Sequence, residues 1–337
     1  NTARAEAAPA EQSSVYESIM KDPGRIYVKK AQCPGPVGPV AFENRVIQDN
    51  EISATENYDL VIIGAGLTGL VAALKAAEEG AKVVILEKMT KGRACFECFG
   101  AVDARVQRQA NPPGRKDLEL VNFKEFAPKL FLDIMDSADW RIQPDAPRTY
   151  IASSGEATDF LETMIQKGEL GLYFYNVSPG EVGISSDKFD PKKARDAGYP
   201  GLRLCFELVD IINAHYADKI SIKFLTPAIQ LVRKGNGPVS GVIAKNESTY
   251  MRFNASKGVI LATGGFDSNP EMIEAFVRPE DYATSGWWNP GWGTTGDGHM
   301  MGMQIGGSMD PAPLPVMNFR GGNPVGYYGP STRPGAG

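Results

Sequence analysis

The chain has 337 residues, enough to bury a sizeable core and to form two domains. Its net charge of -5 argues against a nucleic-acid-binding protein, and its two histidines exclude a histidine-rich metal centre. No run approaches the roughly 18 apolar residues of a membrane-spanning helix, so an integral membrane protein is not expected. The four cysteines are too sparse for a disulfide scaffold, and we predict no metal site.

Residues 1–55 are predicted to form an N-terminal extension. The first residues, "NTARAEAAPAEQSS", are rich in Ala, Glu and small polar residues and cannot bury enough apolar surface to order themselves. Such a start is typical of a mature exported protein whose signal peptide was removed, or of a cloning boundary. We therefore expect an exported, periplasmic or envelope-associated protein, with the cytoplasm as the alternative. A short helix is predicted after Ser14, followed by an irregular Pro/Gly-rich path.

A βαβ unit begins at Tyr58. "YDLVIIG" is a short apolar run of the kind that forms a strand buried on both faces. "AGLTGLVAALKAAEEG" follows, with apolar residues at helical spacing and Gly80 at its end. "AKVVILE" is a second buried strand. Two parallel strands with a crossover helix indicate an α/β, Rossmann-like domain, which we place at residues 56–310.

The turn between the first strand and the helix predicts a dinucleotide site. Gly64, Gly66 and Gly69 have G-x-G-x-x-G spacing, which permits a tight turn, close approach of a pyrophosphate, and helix–strand packing. The helix N-terminus then presents N–H groups to the phosphates. Thr68, inside the turn, is a further candidate contact.

The second strand ends in an acidic residue about 20 positions later. Glu87 can bind ribose hydroxyls and would repel the extra phosphate of NADP. Lys88, directly after it, is a further candidate contact. The turn and the acid fit both FAD and NAD, so the rest of the chain must decide between them.

The middle of the chain predicts helices and then strands. Residues 111–200 are expected to be mainly helical, including "SSGEATDFLETMIQKG", in which Ser153 and Glu156 have capping-box spacing. A further helix, "LRLCFELVDIINAHY", places His215 at the edge of its apolar face. "SIKFLTPAIQLVRK", "VSGVIAKN" and "YMRFNAS" predict a small β-meander over 220–256, and "GVILATGG" predicts a separate buried parallel strand.

Two later segments distinguish FAD from NAD. "KGVILATGGFDSNPEMIEAF" and "TTGDGHMMGMQIGG" resemble the FAD-dependent fumarate reductase/succinate dehydrogenase flavoprotein family, which includes soluble fumarate reductases, urocanate reductases and 3-ketosteroid dehydrogenases. The resemblance runs from about residue 56 to 320 and implies an FAD-binding domain followed, at 311–337, by the beginning of a substrate or clamp domain. The positions that match its later motifs are Thr263, Gly264, Gly265, Asn269, Gly296, Asp297, Gly298, Gly306 and Gly307. The segment "TPAIQL" resembles the strand that meets the adenine and contains Ala228.

The same resemblance suggests a role for the two closely spaced cysteines, Cys95 and Cys98. In the family, the loop after the ribose-binding acid lines the FAD pyrophosphate and isoalloxazine, and Asp103 stands near its asparagine. The loop positions implied to line the cofactor are Arg93, Ala94, Cys95, Gly100 and Ala101. A redox C-x-x-C pair, as in flavin disulfide oxidoreductases, is the alternative. Cys33 and Cys205 supply no second pair for a metal or iron–sulfur site.

The resemblance also implies a chemistry. Members transfer a hydride from flavin N5 to an activated C=C bond of a small enoate or enone, and an acid then protonates the neighbouring carbon. FAD is expected to be noncovalent, because no His-Thr attachment motif occurs. A separate haem or flavin donor is expected, because the sequence has no second dinucleotide turn and no C-x-x-C-H. The alternatives are a 3-ketosteroid-type dehydrogenase and a non-enzymatic electron-transfer module.

The catalytic residues themselves are not predicted. The sequence is expected to hold most of the FAD-binding half and only the beginning of the catalytic half. Candidate substrate contacts are His299, Trp288, Asn318 and Arg320. Soluble fumarate reductases carry a carboxylate-binding histidine where Asn318 stands, which makes fumarate itself a poorer candidate. Trp288 belongs to a tryptophan cluster that could stack on a flat substrate or simply pack a lid.

Overall fold

A computed structural model describes residues 46–92, 98–109, 122–178, 180–186, 200–246, 248–266, 269–278, 293–310 and 312–314. The described residues form an α/β fold, which confirms the predicted fold class. The strands are β1 (Ile52–Ile63), β2 (Val83–Leu86), β3 (Cys98–Gly100), β4 (Leu172–Ser178), β5 (Glu181–Ser186), β6 (Ile220–Lys223), β7 (Ala228–Arg233), β8 (Val239–Asn246) and β9 (Thr249–Leu261). The α-helices are α1 (Leu67–Glu78), α2 (Phe123–Ser137), α3 (Asp145–Lys167), α4 (Pro200–His215), α5 (Pro270–Phe276) and α6 (Asp297–Gln304).

The main sheet has a parallel half with the strand order β6-β2-β1-β9. β8 and β7 continue the same sheet in antiparallel orientation beyond β9. β2 and the last three residues of β1 are apolar and buried, because each of these strands lies between two neighbouring strands. The carboxyl ends of β1, β2 and β9 meet at one edge of the sheet, and this arrangement brings the motifs that follow them together.

The sheet folds over itself, so the fold has three layers. A bulge occurs where Tyr58 and Leu60 of β1 pair with β9. Beyond it, the first halves of β1 and β9 join β7 and β8 in a layer that packs on one face of the parallel strands, where Phe253 of β9 shares a core with Val61 and Val84. Helices α1, α3 and α4 cover the other face. None of the helices in the described ranges has the length and the apolar character of a membrane span.

The strands after α4 differ from the predicted pattern in two ways. β6 pairs in parallel with β2, so residues 220–223 belong to the parallel half and not to the meander. "YMRFNAS" and "GVILATGG" form one continuous strand, β9, because the residues around Gly258 are accommodated as the bulge against β1. β1 likewise begins at Ile52, six residues before the predicted start, because its polar first half pairs with β9.

The helical segment also differs in its details. α3 begins at Asp145, so Ser153 lies inside the helix and the predicted capping box with Glu156 is wrong. Ser153 is not needed as a cap because the helix continues eight residues further toward the N-terminus. The described part of 111–200 also contains the hairpin β4–β5, which pairs with β3 in a three-stranded sheet.

The prediction that His215 lies at the core edge is wrong, because its side chain is exposed. The next residue, Tyr216, takes the buried position instead. Its hydroxyl bonds to Glu78 of α1 and accepts a hydrogen bond from Lys167 of α3 at 2.6 Å. Tyr216 therefore ties the end of α4 to two other helices, and His215 is left at the surface.

Tyr58, on β1, should make the stability of the protein depend on pH. Burial, together with a hydrogen bond to Glu56 (2.8 Å), raises the pKa of Tyr58 to about 12. In the unfolded chain the pKa of tyrosine is about 10. Because the folded pKa is the higher one, this contribution to the free energy of unfolding is complete below about pH 10 and is lost as the pH rises toward 12.

We expect the wild type to lose more unfolding free energy than Tyr58→Phe between about pH 9 and about pH 11. Urea unfolding at the two pH values measures the difference, and phenylalanine keeps the ring while removing the ionisable group. Lysines also titrate in this range, but they are common to both proteins. Equal losses in the two proteins would show that Tyr58 does not contribute in this way.

Candidate cofactor site

The first glycine of the turn lies where three strands end. Gly64 has φ +106° and its N–H donates to the Leu86 carbonyl at 2.8 Å. A Cβ at this position would lie 2.3 Å from the carbonyl oxygen of Ala262, directly after β9. Both the left-handed backbone and the close approach therefore require glycine here.

The third glycine fixes the helix against the turn. A Cβ on Gly69 would lie 2.0 Å from the Gly64 carbonyl oxygen. α1 begins at Leu67, and its N-cap residue, Gly66, has no side chain that could cap the first N–H groups. Thr68 is exposed in the first turn. This helix end is therefore suited to bind a phosphate.

Glu87 occupies the predicted ribose-binding position and is buried, with 8% of its surface exposed. One carboxylate oxygen accepts the Ala65 N–H at 2.7 Å and the other accepts the Met89 N–H at 2.8 Å. Each oxygen keeps a second lone pair for a ribose hydroxyl. The Glu87 carbonyl also accepts the Thr226 N–H at 2.9 Å, which brings Ala228, the predicted adenine contact and first residue of β7, close to the acid.

A fourth glycine completes this turn, and the sequence interpretation missed it. A Cβ on Gly92 would lie 2.0 Å from the Ala65 carbonyl oxygen, so the segment after β2 packs closely on the G-x-G-x-x-G turn. Nothing in the spacing of Gly92 indicated this, because the contact is made across space.

The glycine motif after β9, residues 263–265, packs closely against the glycine motif at the start of α6, residues 296–298. The Gly296 N–H donates to the Gly265 carbonyl at 3.1 Å, and a Cβ on Gly298 would lie 2.2 Å from Thr263 Oγ1. Asn269 is buried, and its Nδ2 donates to the Thr295 carbonyl at 2.9 Å. The ends of β9 and the start of α6, separated by about thirty residues of sequence, therefore form one compact unit that also includes Gly264.

Lys88 and Asp297 form an ion pair that joins the segment after β2 to the start of α6. Lys88 Nζ lies 2.8 Å from Asp297 Oδ2, and each side chain is 15% exposed. Lys88 Nζ also donates to Thr295 Oγ1 at 2.6 Å, and Thr295 Oγ1 donates to Asp297 Oδ1 at 2.7 Å. Both charged residues were candidate cofactor contacts; Thr295 was not.

The cysteine loop is described only in part. Gly100 ends β3, opposite Glu181 of β5, and the N–H of buried Ala101 donates to the Gly180 carbonyl at 3.1 Å. Asp103 has φ +64° and accepts from Arg108 Nε at 2.7 Å. Arg93, Ala94 and Cys95 lie outside the described residues, as does the side chain of Cys98. Whether the cysteines line the pocket or form a redox pair stays a prediction.

His299 is the one candidate substrate contact among the described residues. It lies on α6, half-buried, edge-on to Phe266 with ring centroids 5.5 Å apart. Burial lowers its pKa, which favours the neutral imidazole, and its buried Nδ1 has no hydrogen-bond partner. Trp288, Asn318 and Arg320 lie outside the described residues.

An apolar groove of about 330 Å³ lies elsewhere, between β7, β8, β9 and the end of α6. Arg233 in its wall donates to the carbonyls of Ile305, Gly237 and Asn236, so this guanidinium holds the end of α6. None of the predicted cofactor contacts lines the groove. Among the described residues, no cluster of His, Cys, Asp and Glu could hold a metal ion.

The residues that the structure brings together fit FAD. The glycines let the helix and the strand ends pack closely around the turn, the first N–H groups of α1 have no side-chain cap, and Glu87 keeps acceptor capacity for a ribose. All of these features lie at the carboxyl ends of β1, β2 and β9, where ligands bind in open α/β sheets.

Comparison with known families gives the same assignment. Residues 59–319 match the family model described as "FAD binding domain". A 4-oxocyclohex-2-ene-1-carboxylate 5-dehydrogenase of Sinomonas cyclohexanicum is 34% identical over 352 aligned residues, which cover 83% of this chain and 57% of the relative. A fumarate reductase (cytochrome) of Shewanella frigidimarina is 25% identical over 251 residues, 73% of this chain and 40% of the relative.

Solved structures show the same fold. The fold of this chain resembles that of a 3-ketosteroid-Δ4-(5α)-dehydrogenase from Rhodococcus jostii with a TM-score of 0.56 and 20% identity, over 78% of this chain and 56% of that one. The chain thus spans between two fifths and three fifths of the length of the proteins to which it is similar here.

Proposed function

Because this chain belongs to the FAD binding domain family, we propose that it is the FAD-binding part of an oxidoreductase that reduces an activated carbon–carbon double bond. The substrate is a small enoate or enone, and a separate haem or flavin protein donates the electrons. FAD, when bound, supplies the hydride for such a reduction. The observation that carries the proposal is the meeting of the glycine turn, Glu87 and the two later glycine motifs at one edge of the sheet.

The chain's own residues bind and orient the cofactor. The N–H groups at the start of α1 hold the pyrophosphate, and Glu87 accepts hydrogen bonds from ribose hydroxyls. The negative charge of Glu87 disfavours a ribose that carries an extra phosphate, as in NADP. FAD is held noncovalently, so acid precipitation of the protein should release all of the flavin.

Two relatives support the substrate class. The names fumarate reductase (cytochrome) and 4-oxocyclohex-2-ene-1-carboxylate 5-dehydrogenase both indicate an unsaturated or oxo carboxylic acid. The first name also supports a haem protein as electron donor. The candidate substrate contacts proposed from the sequence are His299, Trp288, Asn318 and Arg320. Their contribution is tested by alanine variants in the assay described next.

The experiment that tests the function uses the protein purified from its natural source. Its visible spectrum is recorded, the flavin is reduced with a viologen donor, and a panel of enoates and enones is added without oxygen. Reoxidation of the flavin by one class of acceptor, with formation of the saturated product, is the expected result. A protein without flavin would refute the cofactor assignment. A flavin that no acceptor reoxidises would favour an electron-transfer module.

A dehydrogenase is the second candidate function. It is favoured by the 34% identity with the 4-oxocyclohex-2-ene-1-carboxylate 5-dehydrogenase, which extends over 83% of this chain. In this case the oxidised flavin would be bleached by a saturated cyclic oxo acid or a 3-oxosteroid, and would return its electrons to a dye.

Disulfide chemistry would give a different result. The flavin would then be bleached by a dithiol, and this bleaching would be lost in Cys95→Ser and Cys98→Ser.

We also propose that the protein is exported. The composition of the first fourteen residues supports this location. Fractionation of the native cells tests it: the protein should be recovered with periplasmic or envelope markers, and recovery with cytoplasmic markers would refute it.

A further inference from the structure

We propose that Lys88, Thr295 and Asp297 act as one positioning unit for FAD, and not as separate contacts to the cofactor. We call these three residues the clasp. The inference rests on the FAD site proposed above. It names the residues that fix the end of β2 relative to the glycine motifs after β9 and at the start of α6.

The clasp is a closed ring of three hydrogen bonds. Lys88 Nζ donates to Asp297 Oδ2 at 2.8 Å and to Thr295 Oγ1 at 2.6 Å, and Thr295 Oγ1 donates to Asp297 Oδ1 at 2.7 Å. Both carboxylate oxygens and two of the three ammonium N–H groups are thereby used. The threonine hydroxyl acts as donor and acceptor at once, so it fixes both charged groups.

The charges of the clasp cancel locally. Lys88 and Asp297 are 15% exposed and Thr295 is 4% exposed, so little solvent screens the pair. A lysine held in this way offers no net charge to a pyrophosphate, since its carboxylate partner lies 2.8 Å away. We therefore infer that the N-terminus of α1 binds the phosphates, and that the clasp positions the elements around them.

The clasp connects two parts of the proposed cofactor site that are far apart in the sequence. Lys88 directly follows Glu87, the ribose-binding acid, whereas Asp297 is the first residue of α6. The Thr295 carbonyl also accepts from Asn269, which follows β9. The clasp thus joins the end of β2 to the interlocked motifs after β9, across 209 residues of sequence. FAD must contact the end of β2 and the motifs after β9 at the same time. The distance between these two parts of the site therefore sets the affinity for FAD.

The test is a titration of the full chain, freed of flavin, with FAD, followed by flavin fluorescence. The variants are Lys88→Met, Asp297→Asn, Thr295→Val, the conservative Thr295→Ser, and the double variant Lys88→Met/Asp297→Asn. We expect each of the first three to weaken FAD binding about tenfold to a hundredfold, because each leaves a buried polar partner unpaired. The double variant should be no weaker than the worse single variant, and Thr295→Ser should bind like the wild type.

The following results would overturn the inference. Additive losses in the double variant would mean that Lys88 and Asp297 contact FAD independently. A loss in only one of the two single charge variants would mean that this residue alone contacts the cofactor. Unchanged affinity in all variants would mean that the ring has no role in FAD binding.

Folding and the proposed function are controlled separately. Circular dichroism and thermal unfolding without FAD report whether each variant folds, and if Lys88→Met does not, Asp297→Asn and the Thr295→Val/Thr295→Ser pair decide. A folded Thr295→Val that binds FAD like Thr295→Ser would overturn the inference. Failure of the wild type to bind FAD would refute the proposed function itself, which is a different outcome from normal binding by every variant.

Discussion

Replacing Gly69 with alanine is expected to abolish tight FAD binding and to lower stability. The new Cβ would lie 2.0 Å from the Gly64 carbonyl oxygen, which is backbone and cannot rotate away. The helix must therefore move off the turn, at a cost of about 1–3 kcal/mol. Since we propose that the same turn holds the pyrophosphate, we expect FAD affinity to fall by about a hundredfold. Fluorescence titration and thermal unfolding measure the two effects.

Gly302→Ala is the matched control for Gly69→Ala. Gly302 also lies in a helix, α6, but apart from its chain neighbours and the backbone of its own helix nothing lies within 4 Å of the position that its Cβ would occupy. Alanine there should leave FAD affinity unchanged and stabilise the chain by up to about 1 kcal/mol. If Gly69→Ala bound FAD as well as Gly302→Ala, the close contact at the turn would not be a requirement for the cofactor.

Replacing Glu87 with glutamine should produce the second large effect. Its carboxylate accepts the N–H groups of both Ala65 and Met89, and an amide offers only one acceptor oxygen. One of the two buried N–H groups would then face an NH₂ group, at a cost of about 1–3 kcal/mol. We expect a lower free energy of unfolding in urea, and an FAD affinity about tenfold to a hundredfold lower because the ribose loses an acceptor.

Glu79→Gln serves as the control for Glu87→Gln. Glu79 is an exposed glutamate at the end of α1 whose partner is Lys75 at 2.8 Å. Because exposed pairs of this kind contribute little, its replacement should change neither FAD affinity nor stability by more than about 0.5 kcal/mol. An unchanged FAD affinity in Glu87→Gln would assign the ribose to another residue.

Several features that are encoded within a short stretch of the sequence were predicted correctly. The turn of Gly64, Gly66 and Gly69 and the acid Glu87 fall within one βαβ unit of about thirty residues. Hydrophobic periodicity and turn chemistry act over such short distances, so the first strand, its helix and the acid were predicted at the right places, although β1 begins earlier than expected. The α/β fold class followed from the same pattern.

Features that depend on contacts across space were mispredicted or missed. The helix α3 begins eight residues before the apparent capping box, and Tyr216, not His215, takes the buried position at the end of α4. Gly92 and Thr295 carry no motif of their own. Their roles arise only because the ends of β1, β2 and β9 meet at one edge of the sheet.

The sequence by itself thus determined the dinucleotide turn, its acid and the resemblance that distinguished FAD from NAD, because each is written in a short stretch of chain. Only the tertiary structure decided that β9 is one strand shared by two layers, and that Lys88 lies beside Asp297. The physical reason is the same in both cases: pairing between residues about 200 positions apart depends on which surfaces the folded layers bring together, and local propensity does not specify those partners.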